Sequence, residues 1–158
     1  MAHYQMTLVD RQRIARDTMA FWFGTNGANF EFRAGQHADF VSTDPCMGSE
    51  SDNSRTFSLA SSPHDKEPIM IAMRMRKTAF KTALKAAALG TKFIVSRPRG
   101  SFTLHRDITR TAVFIAGGHR DCAHSQHPST FHPKTSATQT VFVLFKPGSG
   151  RRGVSRRI

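Results

Sequence analysis

Residues 55–62, with the sequence Arg-Thr-Phe-Ser-Leu-Ala-Ser-Ser, combine one cation, one aromatic ring and four hydroxyl groups. A strand that only packs against a core needs an apolar face, but it does not need Arg55 and Ser58 on either side of the Phe57 ring. A planar, anionic ligand would use all three, because arginine makes paired hydrogen bonds to phosphate and a ring makes flat apolar contacts. These residues are therefore the first candidate ligand site.

Residues 74–81, with the sequence Arg-Met-Arg-Lys-Thr-Ala-Phe-Lys, lead into the clearest helix of the sequence. Apolar residues recur at helical spacing from Phe80 to Ala88, and Thr78 and Gly90 are suitable start and stop residues. The first N–H groups of a helix attract anions without any particular side chain. The segment is therefore a second candidate anion site, although its basic side chains taken alone are most simply a solvated surface.

The chain has 158 residues and a formal net charge of +12, which raises nucleic acid or an anionic membrane as partners. The charge is uneven, because residues 119–158 hold seven Lys and Arg against one acidic residue, whereas residues 1–118 hold 16 against 10. Two distant cysteines argue against a disulfide scaffold and an iron–sulfur ligand set. Neither a signal peptide nor a membrane span is apparent, so we expect a cytoplasmic protein.

Short segments of alternating polarity dominate residues 3–118 and predict strands. The expected strands cover residues 3–9, 11–23, 30–33, 69–76, 93–95 and 112–116. Turn chemistry is expected at residues 24–27, 34–36 and 98–102, and an exposed loop at residues 44–54. Many strands and a single helix predict a mainly β chain that forms a small antiparallel barrel with one capping helix.

The order of these motifs resembles that of the ferredoxin-NADP reductase family, whose flavin domain carries the signature Arg-x-Tyr/Phe-Ser found here at residues 55–58. Ala34-Gly35-Gln36 matches a barrel corner that precedes the signature. The Arg-Met-Arg and Thr-Ala-Phe-Lys stretches match the segment that follows it, and the resemblance extends to residues 98–102 and to Gly117-Gly118. The resemblance implies a six-stranded, Greek-key, FAD-binding barrel and then the first strand of an incomplete α/β nucleotide-binding domain.

The same resemblance assigns roles to individual residues. It implies that Arg55 binds a phosphate, that Phe57 lies against the isoalloxazine ring, and that Ser58 is catalytic through a hydrogen bond to the ring nitrogen that accepts hydride. Residues 79–81 would bind the pyrophosphate mainly through backbone amides. The complete set of cofactor-binding residues that it implies is Arg55, Thr56, Phe57, Ser58, Arg74, Met75, Thr78, Ala79, Phe80 and Lys81. The resemblance implies that electrons pass from NAD(P)H through FAD to a one-electron acceptor, with FMN the less favoured cofactor.

We expect three parts: an FAD-binding barrel over residues 1–109, the first strand of a truncated NAD(P)-binding domain over residues 110–118, and a poorly structured tail over residues 119–158. Gly117 and Gly118 would be the remnant of the nicotinamide domain, although two glycines alone are a weak dinucleotide signal. Most of the nicotinamide site is therefore expected to be missing, which would leave the chain inactive or impaired as an NAD(P)H-dependent enzyme.

Other interpretations remain open. The Arg-rich tail could act as the electrostatic footprint of a nucleic-acid-binding module, or the chain could be a non-catalytic remnant of a flavin domain. Cysteine and histidine are zinc ligands, but the spacing of Cys122, His124, His127 and His132 is loose, so we expect no metal site.

From His119 the sequence loses its periodicity. When the codons permitted for this segment are read with the first base of His119 omitted, three family-like stretches become possible in the right order, beginning after Gly117, at Val141 and at Gly153. We therefore expect that the reading frame slips by one nucleotide near Gly118 and that residues 119–158 encode no evolved structure. Sequencing the gene tests this prediction, which is wrong if the shifted frame does not translate to those stretches.

Overall fold

The computed structural model describes residues 3–43, 53–65, 68–104, 112–117 and 140–145. Within these ranges the elements are β1 (His3–Ala15), β2 (Thr18–Gly24), β3 (His37–Ser42), β4 (Ser54–Ser58), β5 (Ile69–Arg74), α1 (Ala79–Ala86), β6 (Lys92–Ser96), β7 (Ala112–Gly117) and β8 (Thr140–Phe145). In the same ranges, no helix combines the length and the hydropathy that crossing a bilayer would require.

Strands β1 to β6 form one antiparallel sheet in the order β4-β3-β6-β1-β2-β5. Its two edge strands meet where Leu59 bridges Ile71 and where the Ala60 N–H donates to the Met70 carbonyl at 2.7 Å. The sheet therefore closes on itself at this end as a six-stranded barrel. The predicted mainly β barrel with a single helix is confirmed for the described residues.

From Ser58 back to Ser54, no further bridge joins the two edge strands among the described residues, and helix α1 contacts both strands. Phe80 and Leu84 are the buried residues of α1. The Phe80 ring contacts Phe57 on β4, and the Lys81 ammonium donates to the Arg74 carbonyl at the end of β5. We call the opening between β4, the end of β5 and the start of α1 the seam. The helix therefore fills the inner side of the seam with apolar groups.

A row of five phenylalanine rings crosses the core and ends at the helix. Phe93 lies 5.3 Å from Phe23, and Phe23 lies 5.0 Å from Phe40, measured between ring centroids. Phe40 lies 5.9 Å from Phe57, and Phe57 lies 5.8 Å from Phe80. Strands β6, β2, β3 and β4 each supply one ring, so the row joins the centre of the barrel to α1.

The first hairpin turns later than the sequence predicts. β1 and β2 pair up to Ala15 opposite Thr18, so the turn lies at residues 16–17 rather than near Asp10. Asp17 has a φ of 54°, in the left-handed region that aspartate tolerates better than most residues. The predicted boundary between two short strands at Asp10 is wrong, because β1 continues as one exposed strand to the true turn.

Residues 25–36 connect β2 to β3 without a strand, although the alternation of Phe30 and Phe32 with charged residues predicts one. Both phenylalanines are buried, and Tyr4 packs edge-on against Phe30 with ring centroids 5.0 Å apart. The alternation indicates the burial correctly. The predicted strand is wrong, because the inner strands of the sheet already have two partners each and no strand among the described residues pairs with this segment.

The helix ends at Ala86, before the predicted stop at Gly90. The Ala87 N–H donates to the Ala83 carbonyl at 2.8 Å, and the Arg11 guanidinium donates to the Ala87 carbonyl. Gly90 instead lies in the following turn with a φ of 95°, where its N–H donates to the Leu8 carbonyl at 2.8 Å. A basic side chain from β1 therefore caps the helix, in the way that arginine can stabilise terminal carbonyls.

Strands β7 and β8 form a separate parallel pair, in register from Ala112 opposite Thr140 to Gly117 opposite Phe145. The predicted strand over residues 112–116 is confirmed, and parallel pairing is typical of α/β units. Strand β8 lies within residues 119–158, where we expect no evolved structure. The domain boundaries and the slipped reading frame stay predictions.

The predicted bend at residues 34–36 is confirmed, and Gly35 is the residue that permits it. Its φ is 90°, and a Cβ built on it would lie 1.8 Å from the Phe102 carbonyl oxygen. No side chain fits in that space. Gly35 therefore lets residues 98–102 pack directly against the chain before β3.

We expect Gly35→Ala to destabilise the fold more than Gly27→Ala. Both replacements place alanine at positive φ, which costs on the order of 1–3 kcal/mol, but a Cβ at Gly27 meets no atom within 4 Å. Only Gly35→Ala adds overlap with backbone. Urea unfolding followed by the fluorescence of Trp22, the single tryptophan, measures both losses. Equal losses in the two variants would show that the close approach is unimportant.

Candidate functional site

Strand β4 carries residues 55–58 and lies at the edge of the sheet, so one of its backbone edges faces the seam. The other edge pairs with β3, where the Leu59 N–H donates to the Gln36 carbonyl at 3.0 Å. In an antiparallel pair, residues whose backbone is hydrogen-bonded to the partner strand alternate with residues whose N–H and C=O point away from it. The N–H groups of Thr56 and Ser58 therefore point toward the seam.

The side chains of β4 alternate between two faces of the strand. Arg55 and Phe57 face α1, where Arg55 is half-buried and its guanidinium donates to the Ser54 carbonyl at 2.7 Å. Thr56 and Ser58 are exposed on the outer face. A ligand that lies along the open edge can therefore contact a guanidinium from one face and hydroxyl groups from the other.

Phe57 is 9% exposed, because the rings of Phe40 and Phe80 cover it. The resemblance assigns this ring to contact with an isoalloxazine. In the structure the ring belongs to the core cluster, and its contact with a flavin stays a prediction. Phe57 therefore serves first to attach α1 to β4.

The seam is closed near Ser58 and open near Arg55. Leu59 bridges Ile71 in antiparallel register, and continuing this register places Met75 across from Arg55. The first turn of α1 lies nearby, since Phe80 packs on Phe57 and the Lys81 ammonium donates to the Arg74 carbonyl at the end of β5. Arg55, the end of β5 and the helix N-terminus therefore lie on one side of the barrel, as a common anion site requires.

Thr78 is the N-cap of α1, as predicted, and its hydroxyl accepts from the Lys81 N–H at 3.4 Å. The N–H groups of Ala79 and Phe80 are among the first of the helix, and such groups point out of the helix N-terminus. Phe80 is fully buried through its side chain, so it can act on a ligand only through its backbone. Ala79 is exposed at the open end of the seam.

The open end of the seam is strongly basic. Arg74, Arg76 and Lys77 are exposed there, Met75 packs partly against the core, and residues 68–82 contain no carboxylate. The Lys81 ammonium donates to the Arg74 carbonyl at 2.8 Å. Burial lowers the pKa of Lys81, and the charge of Arg76 lowers it further. An anion bound here would offset that repulsion, so the chemistry of the donors fits phosphate.

Three of the four hydroxyl groups in residues 55–62 bond within the protein. Thr56 donates to Asp39, Ser61 accepts from the Met70 N–H at 3.1 Å, and Ser62 accepts from the His64 N–H at 3.2 Å. Ser61 therefore helps to close the barrel. The Ser58 hydroxyl is exposed at the closed end of the seam, where the resemblance expects the hydride-accepting part of a ligand.

Asp39 and Arg99 are two residues that sequence reasoning missed. The Asp39 carboxylate accepts from the Thr56 hydroxyl with one oxygen, and its other oxygen lies 2.6 Å from the Arg99 guanidinium. The polar alternation of His37 and Asp39 indicates an outer face, but only the strand register reveals that Asp39 lies opposite Thr56. The pair therefore connects β3, β4 and the turn at residues 98–102.

A groove of about 880 Å³ lies between the β2–β3 connection and the turn after β4. It is lined by Thr25, Gly27, Ala28, Asn29, Phe30, Glu31, Phe32, Pro63, His64 and Asp65. Neither residues 55–58 nor α1 line it. We place the candidate site at the seam, because the seam and not the groove combines a guanidinium, a helix N-terminus and open-edge amides.

Several candidate residues near and after the end of β7 lie outside the residues that the structure describes. Gly117 ends β7, whereas Gly118 and the cysteine and histidine residues weighed as zinc ligands lie outside the described residues. The structure therefore tests neither the nicotinamide remnant nor a metal site in that segment.

We expect Asp39→Asn to lose stability in a pH-dependent way. The hydrogen bond from Thr56, and after it the Arg99 guanidinium, hold the pKa of Asp39 below its ordinary value of 3.8, although burial opposes them. A depressed pKa in the folded state stabilises the fold above the unfolded pKa, and this contribution disappears as the pH falls through the folded value. The stability difference between wild type and variant should therefore be constant at neutral pH and shrink below about pH 4.

Urea unfolding at several pH values measures this difference, and Glu31→Gln, which removes an exposed carboxylate away from β4, is the control. A difference between wild type and Asp39→Asn that persists unchanged at the lowest pH would contradict the assignment.

No protein-family model and no curated protein matches the sequence. Solved structures do match. Phthalate dioxygenase reductase, described as a modular structure for electron transfer from pyridine nucleotides to [2Fe-2S], is 19% identical with a TM-score of 0.71, over 91% of this chain and 43% of that one. Ferredoxin-NADP+ reductase from Plasmodium falciparum with 2'P-AMP is 14% identical with a TM-score of 0.70, over 91% of this chain and 60% of that one.

A cytochrome P450 reductase from Amycolatopsis is 21% identical with a TM-score of 0.67, over 94% of this chain and 44% of that one. The chain thus spans about half the length of these solved structures. At such identities a structural match establishes fold rather than activity. The sequence resemblance is confirmed at that level: the chain has the fold of the flavin-binding barrel of ferredoxin-NADP reductase-like proteins.

Proposed function

We propose that this chain is the flavin-binding part of an NAD(P)H-dependent oxidoreductase and that it holds FAD along the seam. The main support for the proposal comes from three features along the open edge of β4: Arg55 on the strand itself, the basic end of β5 across from it in register, and the first turn of α1, which packs on Phe57. The fold match to reductases supports it. A bound flavin would accept hydride from a nicotinamide cofactor and pass electrons singly to an acceptor protein or domain.

The two ends of the seam correspond to two parts of the cofactor. At the open end, Arg55 can donate two hydrogen bonds to one phosphate, and the first amides of α1, at Ala79 and Phe80, can donate to another. Two separate anion-binding groups favour the pyrophosphate of FAD over the single phosphate of FMN. Arg74 and Lys81 add positive charge, while the Thr78 cap and the hydrogen bond from Lys81 to the Arg74 carbonyl set the position of the helix.

At the closed end, the residues of β4 would hold the polar edge of the flavin ring. The N–H groups of Thr56 and Ser58 face the seam, and the Ser58 hydroxyl can donate a hydrogen bond to the ring nitrogen that accepts hydride. The bridge between Leu59 and Ile71 ends the seam and limits how far a ring can move toward the turn. These residues bind and orient the ring, while the chemistry of electron transfer belongs to the cofactor.

We expect Arg55→Gln to weaken FAD binding by about 10- to 100-fold, since a charge-assisted hydrogen bond contributes about 1.5–3 kcal/mol. Riboflavin lacks phosphate, so its affinity should change little. Titration of the purified chain with FAD and with riboflavin, followed by flavin fluorescence, measures both effects.

Arg33→Gln is the matched control, because Arg33 is also an arginine but is exposed and lies on the β2–β3 connection, away from the seam. It should leave both affinities unchanged. Equal weakening of riboflavin and FAD by Arg55→Gln would show that Arg55 does not bind phosphate. Absence of FAD binding to the wild-type chain would overturn the proposed function.

A further inference from the structure

The ion pair between Asp39 and Arg99 is directly connected to β4. One carboxylate oxygen of Asp39 accepts from the Thr56 hydroxyl, and the other lies 2.6 Å from the Arg99 guanidinium. Asp39 and Thr56 face each other as a non-hydrogen-bonded pair of β3 and β4, the arrangement in which opposed side chains approach most closely. Both charges therefore lie behind the strand that forms the flavin edge of the site.

The position of Asp39 is fixed from several sides. Its backbone N–H donates to the Ser96 hydroxyl at 2.9 Å, and the backbones of His37 and Arg99 exchange two hydrogen bonds of 2.9 and 2.8 Å. The Asp39 side chain is 24% exposed, whereas that of Arg99 is 55% exposed. The carboxylate is thus held against the sheet with little freedom, and the guanidinium covers it from the solvent side.

Asp39 is ionised at neutral pH. The hydrogen bond from Thr56 is the largest cause that lowers its pKa, followed by Arg99 and the nearby His37, while burial acts in the opposite direction. The carboxylate therefore carries a constant negative charge in the physiological range, and Arg99 largely cancels it. Removing either partner would leave an uncompensated charge behind β4.

Resting on the proposed function, we propose that the matched charges of Asp39 and Arg99 hold the reduction potential of the flavin along β4, so that the loss of either charge alone shifts it. Thr56 contributes its N–H to the seam and its hydroxyl to Asp39, so a single residue separates the charge pair from the cofactor. Charges within about 8 Å are poorly screened at physiological salt. Because reduction adds electrons to the flavin, a nearby negative charge disfavours it and a nearby positive charge favours it.

The test is the reduction potential of FAD bound to the full chain, measured by equilibration with a reference dye during photoreduction. Asp39→Asn leaves Arg99 uncompensated and should shift the potential to a more positive value. Arg99→Gln leaves Asp39 uncompensated and should shift it to a more negative value. The double variant restores neutrality and should return the potential toward that of the wild type.

Opposite signs distinguish charge from structure, because a loosened β4 would move both single variants in the same direction. Glu31→Gln and Lys92→Gln make the same two changes of charge at exposed positions outside this cluster and should leave the potential unchanged. If Asp39→Asn does not fold, the sign of the Arg99→Gln shift decides the question.

The outcomes separate this inference from the function on which it rests. A wild-type chain that binds no FAD overturns both. Bound FAD whose potential shifts in the same direction in both single variants, or in neither, overturns the role of the ion pair and leaves the flavin site standing. An Arg99→Gln shift to a more positive value overturns it as well.

Discussion

The contact between the Phe57 and Phe80 rings is the constraint on which the candidate site depends. β4 pairs with a strand on one side only, and α1 is a short helix whose buried residues are Phe80 and Leu84. An isolated helix of this length is not stable in water, so its position comes from packing. The 5.8 Å ring contact fixes the helix N-terminus beside β4, and the same strand carries Arg55. Without the contact, Arg55 and the helix N-terminus would have no fixed separation.

The row of rings explains why a single aromatic pair can hold the helix. Phe57 is joined through Phe40 to Phe23 and Phe93, so the position of α1 is set by the centre of the barrel rather than by a surface contact. Each aromatic pair adds about 0.5–1.5 kcal/mol beyond the burial of its area. Because its ring lies between those of Phe40 and Phe80, Phe57 has only a small exposed fraction. The ring that holds α1 in place is thus Phe57, the same ring that the family resemblance assigns to contact with the flavin.

Features that depend on local chemistry could be predicted from the sequence. Thr78 caps its own helix and Gly35 needs a positive φ, and both requirements act within a few residues. The convergence of Arg55 and α1 was accessible only through resemblance to a known family, because no local pattern specifies which strand a helix will pack against.

Features that depend on distant pairing could not be predicted. The hairpin turn at residues 16–17 is set by the register of β1 with β2, and Phe30 and Phe32 are buried without a neighbouring strand. The contact of Asp39 with Thr56 depends on the register of β3 with β4. A shift of that register by one residue would turn the two side chains to opposite faces of the sheet. These errors share one cause, since side-chain alternation indicates burial but does not identify a partner.

The open edge of β4 raises a question of stability that a ligand would resolve. An exposed strand edge offers unpaired backbone groups to any other strand, and proteins usually cover or interrupt such edges. Here α1 fills the inner side of the seam with Phe80 and Leu84, but helical side chains do not continue the backbone hydrogen-bond ladder past the bridge between Leu59 and Ile71. A cofactor with acceptor atoms along one side could bond to the N–H of Thr56 there. Binding to the folded state alone would then stabilise the barrel by mass action, so the edge that makes the site possible would be protected by the molecule that occupies it.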